Sequence, residues 1–285
     1  MAFVHEVETA FQKGQLGVET AYGTAVAATI ALGSVTLTPS LKKTVNKFTP
    51  RGVLLPTVQT TGVESTEVGF DGIATYEDIA YFVKAIKSDA QVDPLTGQLI
   101  YTVEAGGLQI PGCIVTGWTL KGNRDEVTLS GTMLGKKGII AAPTAALTPA
   151  TQTPISAAGV AIKINSVTYT KIFEWELALS ELWGGVTFVG SSQFANVLQK
   201  AITGTFKIKT ENDSGTAPSA QALLELGSTV PVEIKATTGA KVLTIGFDAQ
   251  VGEPGSFSDE EGVYAIEHNF NIMNKATTAV SVSIV

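Results

Sequence analysis

The stretch AITGTFKIK, residues 201–209, alternates between apolar and polar side chains along its length. Its apolar face consists of Ile202, Gly204, Phe206 and Ile208, and its polar face of Thr203, Thr205, Lys207 and Lys209. A period of two residues is typical of a β-strand that buries one face and keeps the other in water. This stretch therefore predicts an amphipathic strand.

The same alternation returns in FEWELALS (173–180), VLTIGFDAQ (242–250) and YAIEHNFNI (264–272). The apolar faces of these stretches carry large aliphatic and aromatic side chains. Their polar faces carry carboxylates and amides, namely Glu174, Glu176, Asp248, Gln250, Glu267, Asn269 and Asn271. Each stretch predicts a further strand with one wet face.

The composition favours a mainly β protein that does not bind nucleic acid tightly. Of the 285 residues, 44% are hydrophobic, only 16% are charged, and 29 are glycine. A low charged fraction with abundant Gly, Thr and Val is typical of all-β proteins with many turns. The net charge of −7 argues against tight binding of nucleic acid, because neutralising phosphates needs clustered Lys and Arg.

The sequence also bears on the compartment. Cys113 is the single cysteine, so an internal disulfide cannot form and nothing requires an oxidising environment. The first residues show no signal-peptide pattern, and no run of about 18 apolar residues occurs. We expect assembly in the cytoplasm and no membrane partner.

Two stretches predict short helices. In residues 75–89, Thr75 is placed as an N-cap, acidic residues follow it, and apolar residues recur at helical spacing. In residues 215–227, Pro218 suits the first turn and Gly227 the end. Each helix has one apolar face, which predicts packing on a sheet.

The order of elements suggests an internal duplication. Strand, long loop, strand, helix and three strands occur twice in the same order, although an all-β chain can be cut into similar lists by chance. The interpretation is mainly β, with two tandem β-sandwich or barrel domains, each with one short α-helix on its sheet. The segments are an N-terminal arm (1–34), a first domain (35–140), a linker (141–160), a second domain (161–275) and a C-terminal strand or arm (276–285).

Candidates for catalysis or metal binding are few. The only histidines are His5, in the N-terminal segment, and His268, on the apolar face of a strand, where a buried structural role is favoured. Cys113 is interpreted as a small buried hydrophobe. The stretch 131–138 lacks the spacing of a phosphate loop, and the acidic stretch 253–262 lacks that of a calcium loop. The sequence thus predicts no enzyme and no cofactor.

One basic cluster stands out, formed by Lys42, Lys43, Lys47 and Arg51. It is either the solvated base of a loop or a contact to an acidic neighbour, and the sequence leaves both interpretations open.

Several stretches carry a resemblance to a known family. Residues 17–40 (GVETAYGTAVAATIALGSVTLTPS) resemble the N-terminal segment of tail tube proteins of long-tailed bacteriophages. Residues 69–86, 112–122 and 255–278 are similar to the family's strand and helix junction, to a later strand and to its closing hairpin. These stretches are spread along the chain between residues 17 and 278, and the duplication resembles the two-domain form of the family.

The resemblance implies a structural virion protein of a siphovirus-type tail. Three two-domain subunits would form a ring, with six as the alternative, and stacked rings would form a tube through which DNA passes without specific binding. The other implied partners are tape measure and tail completion proteins. The expected lumen residues are Glu174, Glu176, Lys207, Lys209, Asp248, Gln250, Glu267, Asn269 and Asn271. The expected ring-stacking residues are Phe48, Arg51, Leu54, Leu55, Trp183, Phe188 and Phe194, which lie in two long loops.

A lumen rich in carboxylates and amides would repel phosphate. The N-terminal arm, poor in charge, is expected to lie extended along a neighbouring subunit. The alternatives are a monomeric carbohydrate-binding or adhesin-like β-sandwich, for which loop aromatics would form the site, and a minor tail component.

Overall fold

A computed structural model describes residues 13–52, 54–56, 58–83, 95–100, 107–144, 146–211, 229–273 and 280–285. The fold is mainly β, as expected. The described residues form one antiparallel sheet of 16 strands, a separate two-stranded hairpin and a short helix.

The strands of the first part of the chain are β1 (Lys13–Val18), β2 (Ile30–Ala31), β3 (Val35–Phe48), β4 (Val58–Ile73), β5 (Leu95–Ile100), β6 (Gly107–Gly122), β7 (Val127–Gly135) and β8 (Ile139–Ala141). Helix α1 spans Tyr76–Phe82, and a 3-10 turn spans Ala157–Gly159. The later strands are β9 (Val160–Ile164), β10 (Val167–Tyr169), β11 (Ile172–Ser180), β12 (Trp183–Val186), β13 (Asn196–Gln199), β14 (Thr203–Glu211), β15 (Val230–Thr238), β16 (Lys241–Glu260), β17 (Val263–Met273) and β18 (Val280–Ile284).

The pattern of strand pairing repeats between the two parts of the chain. In the first part the hydrogen-bonded order is β3, β4, β7, β6, β5, β1, β2, with β8 also on β6. In the second part it is β11, β14, β17, β16, β15, β9, β10, with β18 also on β16. The hairpin of β12 and β13 is the addition in the second part. The repeated pairing supports the duplication inferred from the sequence, while the residue limits of two domains stay a prediction.

The two parts join edge to edge in one sheet. Strand β11 pairs antiparallel with β6, with Leu177 opposite Leu120 and Leu179 opposite Trp118. Trp118 and Trp175 are both buried at this junction, which we call the β6–β11 joint. Burial of these large side chains stabilises the joint, since each removes a wide apolar area from water.

Helix α1 begins as the sequence predicts. The Thr75 side chain accepts a hydrogen bond from the Asp78 backbone N–H at 3.3 Å, and Asp78 lies in the positively polarised first turn. Ile79 and Phe82 are buried, and the Phe82 ring stacks on Phe70 of β4 with 4.2 Å between centroids. The first predicted helix is confirmed through Phe82. The second, at 215–227, lies outside the described residues.

The expectation of an extended N-terminal arm is wrong for residues 13–34. Strand β1 pairs with β5 of the same chain and β2 pairs with β1, while Leu16 and Leu32 are buried. The buried Glu19 carboxylate accepts hydrogen bonds from the backbone N–H groups of Gly23 at 2.7 Å and Gly112 at 2.8 Å. Gly17 permits close packing within this segment, since a Cβ there would come within 2.7 Å of the Ala27 carbonyl oxygen.

Residues 153–155 of the Pro-, Ala- and Thr-rich segment 141–160, which we expected to be a linker, pack beside the start of α1. Ile155 is buried, and its N–H donates to the Ala74 carbonyl at 2.9 Å. The Tyr76 N–H donates to the Thr153 carbonyl at 3.2 Å. These bonds extend the chain antiparallel to the residues that open the helix, so the segment is ordered by the core that it crosses.

The segment also connects to the second part of the chain. Lys241 at the start of β16 donates hydrogen bonds to the Glu77 carboxylate and, at 3.0 Å, to the Thr153 hydroxyl. Burial raises the pKa of Glu77, but the bonds from Lys241 and the Thr153 backbone outweigh it and lower that pKa to about 2. The C-terminal segment forms β18 on β16, which agrees with the strand alternative.

Candidate functional site

The candidate site is a polar sheet face carried by β11, β14, β17 and β16. Cross-strand register places every residue of the expected lumen set on this face, with Glu176, Lys207 and Asn269 in one row and Glu174, Lys209 and Glu267 in the next. Gln250 lies opposite Asn271, and Asp248 lies opposite Met273. We call this surface the polar face. Its opposite side carries the core residues Trp175, Leu177, Phe206, Ile208 and Phe270.

Lysine and carboxylate side chains alternate across the polar face. Lys209 donates a hydrogen bond to Glu260, and this bond raises the pKa of Lys209. Lys207 stands directly between Glu176 and Asn269 on the neighbouring strands. Opposite charges on facing strands attract each other, so this part of the face is closer to charge-balanced than a wall of carboxylates and amides.

Two members of this network were missed by the sequence analysis. Lys121 of β6 lies opposite Glu176, with its ammonium 4.0 Å from the Glu174 carboxylate, and so extends the face across the β6–β11 joint. Alternation in the stretch 112–122 could have found it. Glu260 was missed because the predicted strand ended at Gln250, whereas β16 continues to Glu260; the two β-bulges between Val251 and Ser256 each add one residue, so Glu260 faces the same side as Gln250.

The first group of expected stacking residues lies on an exposed hairpin. Strand β4 pairs with β7 only from Thr66 onward, so residues 42–52, 54–56 and 58–65 of the β3–β4 hairpin form a two-stranded ribbon. We call this segment the ribbon. Leu54 is 99% exposed at its tip, and Phe48, Arg51 and Leu55 are also exposed. The ribbon therefore presents apolar side chains to water without covering the core of its own chain.

A carboxylate clamp lies at the base of the ribbon. Glu64 forms ion pairs with Lys137 and Lys43, each at 2.7 Å. Hydrogen bonds from these two lysines lower the pKa of Glu64 to about 2. One lysine of the basic cluster, Lys43, thus has an acidic partner within the chain, which fixes where the ribbon leaves the sheet.

The residues of the second group expected to stack differ in their exposure to water. Trp183 is only 8% exposed because it opens β12 and packs on the core, so its assignment to an exposed stacking loop is wrong. Phe188 is exposed, while the Phe194 ring lies against Gly185, where a Cβ would come within 2.4 Å of the ring. The Glu64 N–H donates to the Ser192 carbonyl at 2.8 Å, which brings the second loop to the base of the ribbon.

Among the described residues, the groups singled out for catalysis, His268 and Cys113, are buried, while His5 lies outside the described residues. His268 is buried, as expected, and its pKa is lowered by loss of water. Cys113 is also buried, which raises its pKa to about 12, far from the range of a reactive thiolate. Across the described part of the chain, no group of three or more His, Cys, Asp or Glu side chains is placed to hold a metal ion.

Comparison with known proteins adds no identification. No protein-family model matches the chain, and no curated protein matches it. Within the described residues, no helix is long and apolar enough to span a bilayer. The class of protein is therefore defined by its fold, a mainly β chain with one large antiparallel sheet.

Proposed function

We propose that this chain is the tube-forming subunit of a long-tailed bacteriophage tail, which assembles as rings stacked into a conduit for DNA. The observation that carries the proposal is the polar face, which continues across the β6–β11 joint to Lys121 in the first part of the chain. A surface of this kind suits the wall of a water-filled channel, because its polar side chains face water while the opposite side is a packed core.

The charges of the polar face fit passage of DNA rather than binding. Duplex DNA binds proteins chiefly through phosphates that lysine and arginine neutralise. Lys209 is held by Glu260, and Lys121 and Lys207 each have carboxylates on a facing strand. Because Lys209 and Lys121 already interact with carboxylates and Lys207 lies opposite Glu176, DNA gains little by contacting them and can slide past.

The ribbon is the element proposed to join one ring to the next. Isolated exposed apolar residues are ordinary on soluble proteins, but Phe48, Leu54 and Leu55 gather at one protruding tip. Their burial against a neighbouring ring would release water from apolar surface. Phe188 in the second loop would add to the same contact, whereas Trp183 would not.

The repeated pairing supports a ring of three chains, since each chain supplies two equivalent units to a pseudo-sixfold ring. Tape measure and tail completion proteins would contact the tube as the resemblance implies. Assembly would take place in the host cytoplasm, and the product would be part of the virion.

The test is assembly of the purified full chain, followed by sedimentation velocity and negative-stain microscopy over a range of concentrations. The proposal predicts rings with a central hole and stacks of such rings. A monodisperse single chain at every concentration would contradict it. Binding of that single chain to an immobilised glycan array would favour the carbohydrate-binding alternative instead.

A further inference from the structure

Strand β16 has an edge to which no described strand is paired. Its first half, as far as Ala249, lies between β15 on one side and β17 and β18 on the other. From Val251 to Glu260 it keeps β17, while on the opposite side no strand pairs with it among the residues that the structure describes. An exposed strand edge of this length offers backbone donors and acceptors to another strand.

Strand β3 has the complementary feature. Beyond Leu37 it pairs with β4 alone, within the described ranges of the chain. By its place in the pairing order, β3 is the counterpart of β11, and β16 is the counterpart of β6. The counterparts β11 and β6 pair with each other at the β6–β11 joint, with residues 175–179 antiparallel to 122–118. Thus β6 and β11 pair with each other within the chain, whereas their counterparts β16 and β3 do not.

The two leftover edges carry opposite charge. Lys42, Lys43 and Lys47 lie on β3, while Glu253, Asp259 and Glu260 lie on the second half of β16. Lys43 is held by Glu64 and Glu260 by Lys209 within the same chain, while Lys42 has only an exposed partner, Glu67, at 3.6 Å. The exposed charges of the two edges are therefore Lys42 and Lys47 on β3 and Glu253 and Asp259 on β16. Opposite charges on facing strands favour pairing, and like charges oppose it.

Exposed apolar side chains lie beside both edges. Phe257 of β16 is 55% exposed and stacks on exposed Tyr264 at 5.2 Å between ring centroids. Leu41 of β3 is 65% exposed. At the β6–β11 joint the apolar side chains Leu120 and Leu179 are buried, so we infer that Phe257 and Leu41 mark the part of the core that a neighbouring strand would cover.

We propose that β3 of one copy adds antiparallel to the second half of β16 in the next copy, repeating the β6–β11 joint between chains. The inference rests on the proposed function in taking a second copy of this chain as the partner. It names the two edges that meet and makes the contact head-to-tail, so that a rotation about one axis can close a ring.

The charges also explain how wrong pairings are avoided. Two β3 edges would bring lysines together, and two β16 edges would bring carboxylates together, so each edge rejects its own kind. Pro39 in β3 has no N–H to donate, and the bulges in β16 interrupt its ladder. Backbone pairing alone is therefore weakened at both edges, and charge selects the partner.

The experiment reverses the charge of each edge separately and then of both. The acidic-edge variant is Glu253→Lys with Asp259→Lys, which reverses the two exposed carboxylates of this edge and leaves Glu260 and Glu261 to their contacts within the chain. The basic-edge variant is Lys42→Glu with Lys47→Glu. A control with the same charge change as the basic-edge variant, Lys163→Glu with Lys235→Glu, alters β9 and β15 away from both edges. Circular dichroism and urea unfolding establish that each variant is folded.

We expect each single-edge variant to need about tenfold or more higher concentration than the wild type to assemble at about 0.1 M salt. The combined four-residue variant should assemble like the wild type, since its edges are complementary again, and so should the control. At about 1 M salt the single-edge variants should recover in part, because the Debye length shortens from about 10 to about 3 Å.

The result that overturns the joint is equal assembly of wild type and folded single-edge variants, or failure of the combined variant to recover. A wild type that stays a single chain overturns it as well. The two proposals separate by product. Rings or open chains that depend on these charges but never stack would support the joint and contradict the tube. Tubes that form equally well in every charge-reversal variant would support the tube and contradict the joint.

Discussion

The two parts of the chain share one pairing pattern but treat the loop after their first long strand differently. After β11 the chain turns back, Leu182 and Trp183 are buried, and the Leu182 N–H donates to the Thr116 carbonyl of β6 at 3.0 Å. After the corresponding part of β3, the chain continues into the ribbon. Where the outer edge of the first long strand is paired, as in β11, the following loop folds onto the neighbouring strand. Where that edge has no described partner strand, as in β3, the hairpin projects outward.

The largest expected effect is on the free energy of unfolding, and it contrasts a side chain at a paired strand edge with one at an exposed strand edge. Leu177 is fully buried at the β6–β11 joint, and its change to Ala should lower the free energy of unfolding by about 2–5 kcal/mol. Leu41 is exposed on β3, so Leu41→Ala should change it by less than about 0.5 kcal/mol. Urea unfolding of the two variants measures the difference, and equal effects would show that the joint is not part of the core.

The next prediction separates the ribbon from the fold. Changing Leu54 and Leu55 to Asp should raise the concentration needed for ring stacking by about tenfold or more, because charges replace the apolar tip. Folding should be unaffected, since both side chains lie in water in the single chain. Phe188→Asp in the second loop is the matched variant and should have a smaller effect. Sedimentation velocity with microscopy is the measurement, and normal stacking by the ribbon variant would remove the ribbon from the contact.

A series of urea unfolding measurements at different pH compares the wild type, in which the Glu77 carboxylate links the two parts of the chain, with the neutral variant Glu77→Gln. The pKa of Glu77 is about 2 in the folded chain against an ordinary value of 4.5. Because the folded pKa is depressed, the stabilisation by ionised Glu77 is fully present above about pH 4.5 and is lost as the pH falls to about 2. The stability gap between wild type and Glu77→Gln should therefore close over that range in urea unfolding. A gap independent of pH would show that the Lys241 contact does not act through charge.

The smallest effect on stability is expected at the polar face. Changing Glu174, Glu176 and Glu267 to Gln should alter the free energy of unfolding by no more than about 1 kcal/mol, since exposed ion pairs contribute little. The same change leaves Lys121, Lys207 and Lys209 with fewer carboxylate neighbours, so binding of duplex DNA at low salt should strengthen by about tenfold. Fluorescence anisotropy with labelled DNA measures this, using Glu233→Gln on β15 as the control. Unchanged binding would contradict the proposed role of charge balance.

Local alternation predicted much of this architecture. The faces of β11, β14 and β17 followed from a period of two, and the start of α1 followed from Thr75 and the acidic residues after it. These features depend on neighbours within a few residues, so a single sequence contains them.

Long-range pairing and local irregularity were beyond the sequence. Strand β1 is buried on both sides and shows no alternation, and its partner β5 lies far along the chain, so the segment was interpreted as an arm. Glu260 was missed because the acidic stretch after Gln250 does not show in the sequence as a continuation of the strand, although β16 extends through two bulges to Glu260. Trp183 was assigned to an exposed loop because the sequence does not show that the loop folds back on β6.

The most direct test of the account is a cryo-electron microscopy reconstruction of assemblies of the full chain. The account predicts a ring of three chains whose strands form a closed sheet, with Glu174, Lys207 and Asn269 facing the central hole and β3 of each chain beside β16 of the next. Rings whose hole is lined by other surfaces, or a particle that contains only one chain, would contradict it.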